Sequence, residues 1–188
     1  TKIPVGTSQA GVGSLNWDHP QLLGSVGATG TTAANRAAHG ADVVIGIGTR
    51  YSDFTTSSRT AFQNPDVRFI NINIASFDAY KHGSALPVVA DARETLTELT
   101  SLLAGFNTSA EYQKKYASDK AEWDAVIDAA FVNQKLALPS QTEIIHAVQS
   151  ASDATDTVIC AAGSLPGDLH KLWRVRSPLG YHLSLIHI

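Results

Sequence analysis

The sequence predicts an α/β protein built on a parallel sheet, and three observations carry that expectation. Strand-like apolar runs alternate with helical patterns over the first hundred residues, the order that parallel sheets require. The run Asp42-Val-Val-Ile-Gly-Ile47 is unbroken, as in a strand covered on both faces. Polar, glycine-bearing loops follow at the carboxyl ends of such runs, where domains of this class place their ligands.

The elements follow in order. Ile3 to Val5 reads as a short strand, followed by the polar loop Gly6–Gly13. Gly24, Gly27 and Gly30 mark a glycine-spaced turn, and Thr31 to His39 reads as a helix that Thr31 or Thr32 caps and Gly40 ends. After the apolar run comes Gly48-Thr-Arg50, then Val67 to Ile74, which alternates with period two and reads as the next strand. Pro87 to Ala90 is a further strand. Asp91 caps a helix over Ala92 to Leu103, with Leu96, Leu99, Leu102 and Leu103 at helical spacing. Ala110 to Phe131 is a charged helix with Tyr112, Tyr116, Trp123 and Ile127 available for one face, a connector expected to lie on the first domain. Leu138-Pro139 breaks it. Ser140-Gln-Thr-Glu143 fits a capping box and starts a second unit, whose strand is Val158 to Ala161. Gly163 to Gly167 reads as the loop at that strand's end, before a short helix from Asp168 to Trp173.

Composition excludes several classes. At 188 residues there is room for one large or two small domains. With 44% hydrophobic and 16% charged residues the chain can bury a core like an ordinary globular protein. Fourteen basic against 17 acidic residues, a net charge of −3, give no bias toward nucleic acid or an anionic membrane. No apolar run approaches the roughly 18 residues of a membrane span, and no signal peptide is visible. The single cysteine, Cys160, cannot form an internal disulfide and reads as a buried small hydrophobe, which suits a reducing, cytoplasmic setting. Both ends read as cut. Leu183 to Ile188 looks like the translation of a sequencing adapter, with a genuine short strand as the alternative, and His187 receives no role.

Chemistry could reside in three loops. The Gly24–Gly30 turn could present backbone amides to an anion or be purely structural; its spacing departs from the dinucleotide fingerprint. Arg50 could hold a phosphate or carboxylate, or pair with Asp53. The Gly163–Gly167 loop could hold a diphosphate through backbone donors and the Ser164 hydroxyl, or be an ordinary strand-to-helix connection. The histidines show no metal spacing. His19, His39, His82 and His146 read as surface residues, whereas His170 and His182 lie near the last loop and could reach a ligand.

At these residues the chain resembles the thiamine-diphosphate-dependent enzymes. The resemblance rests on Ile3-Pro-Val5 with Thr7-Ser-Gln-Ala-Gly11, on Leu23 to Thr31 with Ala34-Asn35, and on Gly48-Thr-Arg50 with Asp53-Phe-Thr-Thr56. It continues through Phe69-Ile-Asn-Ile-Asn73, Asp78-Ala79, Lys81-His82 and Val89 to Glu94, and closes with Ala162 to Arg174 and Gly180-Tyr-His182. Within that family the likeness is to the trihydroxycyclohexane-1,2-dione hydrolase branch of myo-inositol breakdown. The acetohydroxyacid synthase branch carries Gly-Gln-His where this chain has Gly163-Ser-Leu165.

The resemblance implies residues 1–106 as an N-terminally truncated, Rossmann-like central domain, 107–139 as a helical connector and 140–182 as the start of the diphosphate-binding α/β domain. Residues 183–188 would be the adapter scar. It implies that Gly163, Ser164 and Leu165 touch the diphosphate of thiamine diphosphate. The activating glutamate and the Mg2+ ligands would lie outside this chain, so no catalytic or metal residue is assigned within it. In some members the segments matching Gly24–Gly27 and Gly48–Arg50 contact a flavin; none is assigned here. The expected partners are a cyclic dione substrate and further copies of the chain, in a homodimer or larger oligomer. Another carboligase or decarboxylase of the family, or a non-catalytic nucleotide-binding module, is the alternative.

Overall fold

A computed structural model describes residues 1–132 and 137–184. Strand β1 (Val5–Thr7) pairs in parallel with β2 (Leu22–Ser25). The first strand therefore starts two residues later than its apolar letters suggest, because the Val5 amide bonds Gln21 O and Thr7 O accepts the Val26 amide. Gly24 belongs to β2, so the turn proper spans Val26 to Gly30. Helix α1 (Thr32–His39) follows, with the Thr31 side chain accepting the Ala34 amide and Gly40 closing the helix, as expected.

Strand β3 (Val43–Ile47) leads through α2 (Asp53–Thr56) to β4 (Arg68–Asn73), then through α3 (Ser76–Ala79) to β5 (Leu86–Val89). These strands form a parallel sheet in the order β3-β4-β5, with Ile45 opposite Ile70 and Ile70 opposite Leu86. The period-two pattern of β4 does not divide core from solvent: Phe69, Asn71 and Asn73 on one side are all buried, as is Ile72 on the other. Asn71 is accommodated because the Tyr51 hydroxyl donates to its Oδ1 at 2.8 Å and its Nδ2 donates to Lys81 O at 3.0 Å.

Asp91 caps α4 (Ala92–Leu102) by accepting the Arg93 and Glu94 amides. The expected leucine stripe is only partly covered among the described residues: Leu99 and Leu103 are half-buried, whereas Leu96 is exposed and Leu102 is 72% exposed. Ser109 caps the long helix α5 (Ala110–Ala130). The predicted capping box is present at α6 (Gln141–Ala151), where Ser140 and Glu143 bond each other's backbone amides. Strand β6 (Val158–Cys160), helix α7 (Ser164–Leu172) and strand β7 (Tyr181–Leu183) complete the chain, with β6 and β7 parallel. The segment expected as a loop, Gly163 to Gly167, is thus the first turn of α7; its proline sits where a helix tolerates one. Leu183 lies in β7, and residues 185–188 of the tail fall outside the described residues, as do connector residues 133–136. No helix of the described residues is long and apolar enough to cross a membrane.

Two buried clusters share α5. Leu23, Ala33, Ala34 and Tyr116 form one; Ile127, Ile145, Cys160, Leu169, Leu172, Val175 and Tyr181 form the other. Trp123 packs against both. Cys160 is buried as expected, its thiol donating to the Tyr181 hydroxyl at 3.0 Å. The expectation that α5 rests on the first unit is incomplete, because its C-terminal half is core to the second.

Candidate functional site

The three residues expected at a diphosphate sit together at the tip of α7. Gly163 is the N-cap, with φ of 134° and no side-chain cap, a conformation that L side chains avoid. Ser164 and Leu165 supply the first two helical amides, and neither bonds another group among the described residues. Pro166 has no N–H, and Gly167 N closes the first helical bond to Gly163 O at 3.2 Å. The helix therefore offers two free donors at its positive end, with no acidic residue in the first turn to compete. Gln141 Nε2, at the start of α6, donates to Ser164 Oγ at 3.3 Å, so the beginnings of the two helices lie side by side.

The other end of α7 is anchored on the end of β2 and the Val26–Gly30 turn. Ser25 Oγ donates to His170 O at 2.7 Å, and Thr29 Oγ1 is 2.7 Å from His170 Nδ1. A Cβ on Gly167 would lie 3.2 Å from Thr29 Cγ2, which brings the helix backbone close against the turn. His170 is 5% exposed, and burial pushes its pKa down from 6.5 to about 4. Lys171 acts in the same direction; backbone groups of Ser8 and Thr29 oppose it without offsetting the burial. Among the described residues its Nε2 has no partner at bonding geometry. The expected reach of His170 to a ligand is therefore corrected: the ring is enclosed within the protein and bonds the turn. His182 is exposed on β7.

Of the two earlier glycine segments, the Val26–Gly30 turn is filled by the protein's own groups, whereas Gly48 and Arg50 are exposed and a Cβ on Gly48 would meet nothing within 4 Å. Gly27 N donates to Asn35 Oδ1, Ala28 N to Phe54 O, Gly30 N to Gly27 O and Thr31 N to Ser25 O, which favours the structural reading of this turn. A Cβ on Gly27, whose φ is 109°, would stand 2.0 Å from Phe54 O. Gly27→Ala is expected to cost at least about 2 kcal/mol, from the left-handed conformation and the displaced α2; an unchanged urea midpoint would remove that argument. In the Gly48–Arg50 loop, Thr49 O accepts from Asn73 Nδ2, and Arg50 O accepts from Lys81 Nζ at 2.7 Å. Arg50 and Asp53 form no ion pair among the described residues, so the pairing alternative is not realised. His82, expected at the surface, is half-buried and stacked on Phe69; His146 is exposed, as expected, and stacks on Phe131.

Residues 1–99 match the family model described as "Thiamine pyrophosphate enzyme, central domain". The chain belongs to the thiamine pyrophosphate enzymes. It is also similar to proteins named 3D-(3,5/4)-trihydroxycyclohexane-1,2-dione hydrolase. That of Bacillus licheniformis is 40% identical over 205 aligned residues, covering 96% of this chain and 32% of the relative. That of Listeria monocytogenes is 40% identical over 208 residues, covering 97% and 32%. That of Halalkalibacterium halodurans is 39% identical over 206 residues, covering 96% and 32%. The chain thus spans about a third of the length of these relatives.

Membership in the thiamine pyrophosphate enzymes implies thiamine diphosphate as cofactor. The α7 tip fits the diphosphate end of that molecule: two unbonded amides, a hydroxyl and a positive helix end, with no carboxylate in the first turn. Among the described residues, no group of three or more His, Cys, Asp or Glu side chains could hold a metal ion. Of the features that build this site, the Thr29–His170 contact carried no sequence signal, since 141 positions separate the partners.

Proposed function

We propose that this chain is part of a thiamine-diphosphate-dependent hydrolase that cleaves the ring C–C bond of 3D-trihydroxycyclohexane-1,2-dione to give 5-deoxyglucuronate in myo-inositol catabolism. The names of the relatives support the substrate. The observation that carries the cofactor role is the acid-free α7 tip with its two open amides. In this reading the Ser164 and Leu165 amides bind the diphosphate, Gly163 lets the chain turn into that helix, and Ser164 Oγ adds a hydrogen bond while Gln141 holds it. Residues 1–106 serve as the scaffold against which α7 is oriented. When bound, the cofactor supplies an electron sink for C–C cleavage. The Mg2+ ligands and the activating glutamate belong to other parts of the parent enzyme, which works in the cytoplasm as a homodimer or larger oligomer. The isolated 188-residue chain is inactive.

The direct test is titration of the purified chain with inorganic pyrophosphate, followed by amide NMR. Saturable shifts at Ser164 and Leu165 are expected; shifts centred on the Val26–Gly30 turn, or on addition of FAD or NAD, would favour a nucleotide-binding module instead. For the substrate, a full-length parent enzyme that forms acetohydroxy acids and leaves the cyclic dione untouched would place the protein elsewhere in the family.

A further inference from the structure

The thiamine pyrophosphate enzyme reading explains the tip of α7 but not why the helix is clamped so far from it. Three contacts join α7 to the end of β2 and the turn that follows it: Ser25 Oγ to His170 O, Thr29 Oγ1 to His170 Nδ1, and the Gly167 backbone against the Thr29 methyl group. The turn itself has little freedom. Its amides are bonded to Asn35 and to Phe54 O of α2, and Thr31 Oγ1 donates to Leu23 O at 2.6 Å. A helix is stiff along its axis, so fixing residues 167–170 against an immobile turn fixes the direction in which residues 164 and 165 present their amides.

We propose that Thr29 and His170 form a latch that positions the α7 tip, so that the glycine turn of the first unit acts in diphosphate binding without touching the ligand. The proposal rests on the assignment of the α7 tip as the diphosphate site. It gives Thr29 a positioning role and the enclosed His170 imidazole a function in holding the turn. A neutral imidazole has one donor and one acceptor nitrogen, so whichever tautomer is present can complement the Thr29 hydroxyl.

The test uses the 188-residue chain, inorganic pyrophosphate and the Ser164 and Leu165 amide signals. Thr29→Val keeps the branched shape and the methyl group that meets Gly167 but removes the hydroxyl; Thr29→Ser keeps the hydroxyl and removes the methyl. Thr29→Val is expected to weaken pyrophosphate binding about fivefold, the equivalent of one lost hydrogen bond. Thr29→Ser should stay within about twofold of the parent chain by the same measure. Equal affinity in Thr29→Val, or equal losses in both variants, overturns the latch while leaving the diphosphate site standing. Failure of the unsubstituted chain to show any pyrophosphate-dependent shift at residues 164 and 165 overturns the site and the latch together.

Discussion

Replacing Trp123 by alanine is expected to lower the unfolding free energy by about 3 kcal/mol, within the usual range for removing a large aromatic side chain from a packed site. The residue is only half-buried, yet it touches both core clusters, and a cavity of about 60 Å³ already lies against it, bordered by Leu22, Leu23, Ile127 and Val175. Truncation would join that space, which Lys120, Asp124 and Arg174 also line, to the volume of the lost indole, and the apolar side chains left facing it would forfeit dispersion contacts. Because the clusters meet through this ring, the variant should also lose cooperativity. Unfolding followed at Tyr116 and at Tyr181 should coincide in the parent chain and separate in the variant. A loss below about 1 kcal/mol, on the same scale, or transitions that still coincide would show that α5 joins the clusters by other means.

Acidification should weaken the fold through His170. In the unfolded chain its imidazole takes up a proton near 6.5, whereas in the folded chain burial delays this to about 4. Between those values the unfolded state binds more protons, so stability is fully present above about pH 6.5 and falls as the pH drops toward 4. At roughly 1.4 kcal/mol per pH unit, the whole interval corresponds to about 3 kcal/mol. Lys171 is the charged neighbour that acts on the ring, and it disfavours protonation further. His170→Gln removes the proton uptake while leaving a polar group toward Thr29. Urea midpoints measured from pH 7 to pH 4.5 should fall more steeply in the parent chain than in this variant. Parallel slopes would mean that the imidazole is not shielded as its 5% exposure indicates.

Much of the architecture was legible because local chemistry governs it. Asp91 and the Ser140–Glu143 box announce helix starts through their own side chains, and the unbroken apolar run Val43–Ile47 announces a parallel strand, although the expected cover on both faces is not met: Val43 and Ile47 are exposed among the described residues. Less legible were features decided by distant partners. Gly24 reads as part of a turn but is drawn into β2 by pairing with Gly6. The alternation of Val67 to Ile74 marks a strand but does not show that Asn71 and Asn73 are buried, where Tyr51, Lys81 and Thr49 satisfy them. The short helix α2, whose Ser52 side chain accepts the Thr55 amide, is hidden in a motif with no apolar period. For the proposed diphosphate site, Gly163, Ser164 and Leu165 are what the family resemblance implies, and the structure adds the helical form that gives the Ser164 and Leu165 amides a direction. The anchoring of that helix by Ser25 and Thr29 depends on contacts more than a hundred positions apart in the chain.

Pro166 has a consequence for selectivity. A helix normally begins with a run of unshared N–H groups, but here the third position contributes none, so the tip supplies a pair of main-chain donors. A pair of that kind can engage two oxygens of any tetrahedral anion and cannot count how many phosphorus atoms lie behind them. Inorganic sulfate should therefore compete for α7 on nearly equal terms. On the proposed role of α7, whatever tells one phosphoryl ester from another has to recognise the remainder of the molecule.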